Sequence, residues 1–494
     1  MTGYRDERGF AMVIAIALMT LLTTVALTLT SLVQNEDQRS RRDAKGDGAY
    51  QAAEAGTNAY LSDLTESQIF PTSYMAKGEA ERTDAGNVVH LGSKTADTPW
   101  SWGTAWTYTT PAASDTDWFD LGNGYEYLLR VYPASSSLSG QAQVITRIEA
   151  VGRPAGSTDM TTWRTIETML RPTSLADFQT FVATSITYGA AATTFGPIFV
   201  GEDKSGTPGN LTHNGTARAN LYSEGSVFGT PTLQNGAQKY DKNTTPTALC
   251  KLNNCSPIPF STFASTLTTV SGAANAGGIS LAATDPTNAA LSGQAYGVDA
   301  WKLVFQSDGT VLVSSCKKYK SGTTTYEVYD SATPPVCGGA TLRTVPSNGA
   351  IYSAVDVIVS GTVHGRVTVA TSADIVFGGN TTYATNGSDV LGVEAQGSIY
   401  IAQWAVVGSS LTLYAAELAL NGPFTADPKF TGSVTATLNF YGSTAAYGQP
   451  TGAIVMSNLF SVRNYNYDTN LKFLQPPYFP SLGNSFTILL QRQV

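Results

Sequence analysis

The feature that most constrains this chain is an uncharged apolar run from Phe10 to Val33, 24 residues without a charge. At 1.5 Å per residue such a helix is about 36 Å long, enough to cross a hydrocarbon layer of about 30 Å. A cleavable secretory signal has an apolar region of only about 7–15 residues, closed by a small-x-small site. This run is longer, and the QNEDQRSRRDAKGDG that follows it carries no such site. A discarded signal is therefore disfavoured. A single-pass anchor, or a helix used again after it leaves the membrane, remains. Thr20, Thr23, Thr24, Thr28 and Thr30 interrupt the run. Their hydroxyls are expected to return to carbonyls of the preceding turn.

The other residues must fold around this helix. A chain of 494 residues is too long for one core, and with 13 % charged and 42 % hydrophobic residues it is not of disordered composition. The formal net charge is −8, with no Lys/Arg stripe interleaved with aromatics, so no nucleic-acid partner is expected. Forty-seven glycines among Thr, Ser, Asn and short β-branched runs favour many strands and turns. The four cysteines are Cys250, Cys255, Cys316 and Cys337. They lack CxxC spacing or nearby histidines, which argues against a metal. Proximity suggests Cys250–Cys255 and Cys316–Cys337 disulfides, formed in an oxidising compartment.

The flanks of the apolar run sharpen its reading. A short polar leader, MTGYRDERG, ends at Gly9, and Phe10 opens the helix. Downstream lies the helix-forming QAAEAG, Gln51 to Gly56. Over residues 1–66 this arrangement resembles the PilX-type minor type IV pilins. The resemblance implies that a prepilin peptidase cuts after Gly9, leaving Phe10 as the new and usually methylated N-terminus. It implies insertion in the cytoplasmic (inner) membrane first, then assembly with other pilins or pseudopilins through this helix into an extracellular filament. Tyr50, Thr57, Leu61 and Leu64 can share a stripe with Ala53. Gly46 and Gly48 read as soft points, each costing about 1 kcal/mol relative to Ala. The sequence departs from the family at the fifth position after the cut, where most pilins have Glu and this chain has Ile14. In that it is similar to K-type minor pseudopilins, which implies a place at or near a filament tip. Simple counting of Lys and Arg around the run would put its C-terminal side in the cytoplasm. The paired cysteines and the long Ser/Thr/Gly-rich body argue for the exterior.

The expected fold class is α+β: a long N-terminal transmembrane helix, an antiparallel β head, then a β-solenoid-like (β-helix) C-terminal body. The divisions are a leader 1–9, a helix 10–66, a head 67–186, a Gly/Thr-rich β region 187–350 with both cysteine pairs, a solenoid-like region 351–450 and a Tyr/Pro-rich cap 451–494. In the head, WSWGTAWTYTT, YEYLLRVYP, AQVITRIEAVGRP and TTWRTIETMLRP alternate as strands of an antiparallel sheet. WKLVFQSDGTVLVSS reads as a hairpin whose Asp308–Gly309 favours a type I′ turn, with TTTYEVYD as a third strand. Four-residue strands start at Asp356, Asp374, Ser398, Glu417 and Thr437, a spacing near 20 that suggests stacked coils. A β-sandwich is the competing reading. If GPIFVG and GSVFG belong to the same array, the cysteine-bearing part is an insertion.

No catalytic motif emerges. The three histidines, His90, His213 and His364, form no HExxH or Cys/His cluster, and His213 in NLTHNG reads as a loop residue. Asp356 and Asp374 occupy matching coil positions as in solenoid polysaccharide-degrading enzymes, but no Arg or Lys accompanies them and Asp there also forms turns. GEDKSGTPGN and NYNYDTN offer oxygens without a calcium-site spacing. No enzymatic activity, cofactor or metal is expected. The leading expectation is a filament subunit whose β body adheres to a surface or glycan. The alternatives are a membrane-anchored, carbohydrate-binding adhesin outside any filament and, behind it, a β-helix polysaccharide-degrading enzyme.

Overall fold

The computed structural model describes residues 8–66, 88–91, 102–106, 118–132, 146–203, 205–245, 247, 260–288, 291, 295–318, 320–321, 324–325, 327–329, 333–406, 410–426, 436–448, 452–456 and 459–494. One unbroken helix, α1 (Arg8–Glu66), spans 59 residues, about 88 Å at helical rise. Its C-terminal part lies on a sheet and buries Gly46, Ala49, Ala52, Ala53, Gly56, Thr57 and Tyr60. Their spacing of three and four residues marks one helical face. Of the expected stripe, Ala53 and Thr57 are buried and Leu61 packs against the core, but Tyr50 is 38 % exposed and Ala49 faces the sheet in its place. Small side chains face the sheet because the two backbones approach closely. A Cβ on Gly48 would stand 2.1 Å from the Tyr125 ring, one on Gly56 2.5 Å from Tyr127, and one on Gly46 2.4 Å from the Arg164 guanidinium. These glycines are docking positions, not soft points.

The head sheet contains β1 (Val88–Leu91), β2 (Trp102–Trp106), β3 (Phe119–Asp120), β4 (Tyr125–Tyr132), β5 (Thr146–Pro154) and β6 (Arg164–Ser174). Its order is β2-β1-β4-β5-β6 followed by the C-terminal strand Ser481–Gln493, all antiparallel, with β3 beside β4. Alternation sends Leu129, Ile148, Ala150 and Ile166 toward α1. The other face carries charges. Glu149 lies directly opposite Glu167, a repulsive pair, and Arg147 bridges both at 2.5 and 3.0 Å.

The expected cap at 451–494 is divided in the structure. Ile454–Val455 and Phe460–Asn466 extend the body, and Ser481–Gln493 closes the head sheet against β6. The body is therefore an insertion between the last two strands of the head. Both of its connections leave side by side, with Ser174 paired to Ser481. Arg171 locks this neck. It is buried, forms a two-pronged pair with Asp177 and donates to the Lys472 carbonyl at 2.8 Å.

The body is built from short parallel strands. In one sheet the spatial order is Ile279–Leu281, Ala350–Ser353, Arg366–Thr371, Val390–Ala395, Ser410–Ala419, Ala436–Ala446, Thr180–Val182, Ile198–Val200, Leu221–Ser223 and Lys239–Tyr240. The chain thus enters this sheet in its middle at Thr180 and builds outward to Tyr240. It then passes to the far end and builds back until Ala436–Ala446 meets Thr180–Val182. GPIFVG and GSVFG belong to this half, so the cysteine-bearing residues do intervene between two parts of one array. A second ladder joins Asp356–Val363, Ile375–Tyr383, Ile399–Ile401, Phe424–Ala426 and Ile454–Val455. A third runs through the far ends of Asp356–Val363 and Ile375–Tyr383, the near ends of Ser410–Ala419 and Ala436–Ala446, and Phe460–Asn466. The inward residues, mostly aliphatic with phenylalanines such as Phe377, Phe424 and Phe440 among them, form the largest core cluster.

These ladders redistribute the expected repeat. Asp356, Asp374 and Ser398 stack, but their column continues toward Phe424; Glu417 aligns with Val393, and Thr437 with Ser410. Short strands at similar spacings belong to different ladders, so one sequence period mixed residues from different columns. The hairpin Ala300–Phe305/Thr310–Lys317 forms, but only Gly309 has positive φ, at +83°. The Gly309 N–H donates to Gln306 O at 3.2 Å, which gives a type I turn followed by a left-handed glycine rather than type I′. The strands beside Thr310–Lys317 are Thr341–Thr344 and Val336–Cys337, not TTTYEVYD. Helix α2 (Ala264–Asn275) covers the outside of the first sheet, its Leu267 and Val270 joining Phe181 and Ala370 in one cluster.

Candidate functional site

The N-terminal part of α1 stands clear of the rest of the protein. Over this stretch the mean hydropathy reaches 2.4 and none of it is buried, which makes it a helix long and apolar enough to cross a membrane. Met12 is 67 % exposed, Leu21 64 % and Val33 68 %. Leaving so many large apolar side chains in water costs on the order of 1.5–3 kcal/mol each, so this surface requires lipid or other helices. The threonines on it are internally satisfied. Thr20 donates to Ile16 O at 3.0 Å, Thr23 to Met19 O at 2.7 Å, Thr24 to Thr20 O and Thr28 to Thr24 O at 2.6 Å, and Thr30 to Ala26 O at 2.8 Å. No carboxylate lies between Phe10 and Gln34, so the helix enters an apolar phase without desolvating a charge. Ile14 is on this surface, 46 % exposed. The backbones of Gly9 and Phe10 lie in the first helical turn, and residues 1–7 are outside the described residues. Charge returns abruptly after the run, and Asp37 pairs with Arg41 one turn on at 3.0 Å.

The other residues singled out by the sequence serve the fold. Asp356 Oδ1 accepts the Asp374 N–H at 3.1 Å, and Asp374 Oδ1 accepts the Ser398 N–H at 2.7 Å. Each carboxylate ties the start of its strand to the start of the next strand in the ladder. Burial pushes Asp356 up to about 6, and burial likewise raises Asp374. His213 is not in a loop. It sits in Leu211–His213, fully buried, its Nδ1 accepting the Gly215 N–H and its Nε2 facing Thr194 at 3.2 Å. Cys316 and Cys337 form a disulfide across paired strands; Cys250 and Cys255 lie outside the described residues. In GEDKSGTPGN, Asp203 Oδ1 is occupied by the N–H groups of Ser205 and Thr207, at 2.8 and 3.0 Å. Among the described residues no three His, Cys, Asp or Glu side chains gather as a metal set.

Two buried glutamates escaped the sequence reading. Glu394 lies under α2, where Thr266 donates to it at 2.9 Å, and burial pushes it up to about 8. Glu417 points into the core with Thr444 Oγ1 at 3.3 Å, and burial raises it well above an ordinary glutamate.

No known protein family matches this sequence, and no curated protein matches it. Among solved structures the chain is similar to the crystal structure of the competence-associated pilin ComZ from Thermus thermophilus. The identity is 13 %, covering 91 % of this chain and 97 % of that one, with a TM-score of 0.30. A score that low carries no weight for assignment, which rests on the helix and its sheet.

Proposed function

We propose that this protein is a minor pilin or pseudopilin, held in the membrane by the apolar part of α1 and then packed through it against other subunits of an extracellular filament. The observation that carries this reading is the division of α1: one continuous helix whose far part is docked on an antiparallel sheet and whose near part is apolar, uncharged and uncovered. Cleavage after Gly9 fits the position of the Gly9–Phe10 junction at the start of the helix. The PilX-type assignment rests on the N-terminal motifs. Ile14 in place of an acid favours a place at or near the tip, where no subunit ahead presents its terminal amine to be neutralised.

The body is best read as a β-solenoid, supported by three parallel ladders that recur along successive coils. It projects beyond the head as a contact surface and works by binding without turnover. The carboxylates that solenoid enzymes would use are engaged by backbone N–H groups at the coil corners, which supports that choice.

Mass spectrometry of the mature N-terminus tests the reading directly. A methylated Phe10 is expected; an intact Met1, or a terminus near residue 34, would overturn it. Shearing separates a filament subunit, which leaves with the fibres, from an adhesin that stays with the membrane.

A further inference from the structure

The two halves of the body meet at one join, where Ala436–Ala446 pairs with Thr180–Val182. On this face the sheet is continuous. On the next face it is not: Ile186–Tyr188 pairs only outward with Leu211–His213, and Ile454–Val455 only inward with Phe424–Ala426. Among the described residues no ladder crosses between these two edges, and a cleft of about 380 Å³ opens there. Its walls include Thr180, Tyr188, Phe440, Thr444, Arg463 and Tyr465.

The core behind the cleft changes character at the same level. One inward column reads Ile279, Ile351, Val369, Val393, Glu417, Thr444, Thr180, Ile198, Leu221 through successive paired strands. Toward both ends its residues are aliphatic, up to Lys239 at the outer end beyond Leu221, and the inner part of the column turns polar at the three strands flanking the join. Thr444 reaches Glu417, Thr180 Oγ1 lies 2.8 Å from the Tyr188 hydroxyl, and Glu417 Oε1 has no hydrogen-bond partner although the residue is fully buried. Polar groups in a core cost stability unless something satisfies them. Here they line or back onto the break in the ladder on that face. Burial raises Tyr188 to about 12 and raises Glu417 well above an ordinary glutamate, and the inner wall offers hydroxyl donors and acceptors beside aromatic rings.

We propose that this cleft is a saccharide-binding site: Tyr188 and Tyr465 supply aromatic walls for the apolar face of a sugar ring, and Thr180 and Thr444 meet its hydroxyls from inside, with buried Glu417 behind Thr444 orienting its hydroxyl. Hydroxyls alternating with C–H faces match a lining of this mixed kind, and the volume suits one or two rings. The assignment deepens the proposed contact role of the body, and it does not depend on filament assembly.

The test uses the full-length protein in a sugar-free zwitterionic detergent. Saturation-transfer NMR is recorded with glucose, galactose and N-acetylglucosamine as probes. Transfer to ring protons of at least one probe is expected, with Tyr465→Ala weakening the apparent affinity about tenfold. A Glu417→Leu/Thr444→Val variant, which makes the column aliphatic, should lose the response while melting at the same or a higher temperature. No transfer from any probe, undiminished transfer in Tyr465→Ala, or a lower melting temperature in the aliphatic variant would each overturn the proposal. The last result would make the polar column structural and the cleft a water site. If the aliphatic variant does not fold, that too counts as a structural column, and Tyr465→Ala at the mouth still reports on binding. Sheared-filament assays of the same variants keep the outcome separate from the pilin reading, because assembly should be unchanged.

Discussion

Gly152→Ala adds one methyl to β5 where it passes under α1. The new Cβ would stand 1.9 Å from the Ala49 carbonyl oxygen and 2.7 Å from the Ala53 nitrogen. Both are helix backbone, so no side chain can turn aside. Real Cβ contacts do not fall below 3.0 Å, so the helix must recede by at least 3.0 − 1.9 = 1.1 Å at this point. A radial gap of about 1 Å forfeits up to half of each dispersion contact. The loss falls on the buried docking face of Ala49, Ala52, Ala53 and Tyr60. Overpacking of this kind costs roughly 1–3 kcal/mol, and the rigidity of both partners places this case at the upper end, about 3 kcal/mol. Gly272→Ala is the counterpart. It lies within α2 with nothing within 4 Å of its added Cβ, so the same chemical change should stabilise by up to about 1 kcal/mol. Denaturant unfolding of the detergent-solubilised chain, followed by the fluorescence of Trp118 and Trp163 in the head, measures the first effect; Gly272→Ala is followed by far-UV circular dichroism. A Gly152→Ala midpoint within about 0.3 kcal/mol of wild type would refute the close-docking argument.

Further outcomes follow from the same kind of accounting. Arg171→Met should cost about 3–5 kcal/mol, because it leaves Asp177 buried without its guanidinium; Arg171→Met/Asp177→Leu should recover most of this in equilibrium unfolding. Replacing Cys316 and Cys337 together by Ser should lower stability by about 3 kcal/mol, since the bond spans 21 residues, and a thermal melt under reducing and oxidising conditions should show the same difference in the native chain. Glu394 is raised in the folded state from 4.5 to about 8. The folded protein therefore holds that proton more tightly, and its contribution is full below pH 4.5 and lost as pH rises through about 8. The span corresponds to roughly 4–5 kcal/mol, so Glu394→Gln should flatten the decline of stability between about pH 5 and pH 8. An unchanged pH profile in that variant would place the source elsewhere.

Much of the head could be read from residues alone. Alternation in YEYLLRVYP and TTWRTIETMLRP matches the antiparallel pairs of β4 to β6, where one side of each strand packs apolar residues on a helix and the other carries a charged Arg/Glu network. The glycines of α1 were harder. Gly46 and Gly48 carry no sign of what stands opposite them, and only the approach of Arg164 and Tyr125 shows that a side chain there would collide. The buried His213 was equally hidden, since NLTHNG has the composition of a turn and its ring is enclosed by Tyr188 and Thr194 from other coils. Of the candidate site, the apolar helix was legible in full, but the cleft at the join was not. Thr180 and Thr444 are 264 residues apart and become neighbours only where two chain segments stack.

By itself, the sequence determined the local matters: a helix that must leave water, a run from Phe10 to Val33 free of any acid, and strands short enough to need neighbours. Those follow from side-chain chemistry and from periods within a few residues. The tertiary structure alone decided which edges meet. A parallel strand end offers the same row of N–H and C=O groups whatever segment comes next, so the coil ending at Ala446 could be continued by Thr180–Val182 from far earlier in the chain. The same freedom let Ser481–Gln493 return to β6 and made the body an insertion within the head.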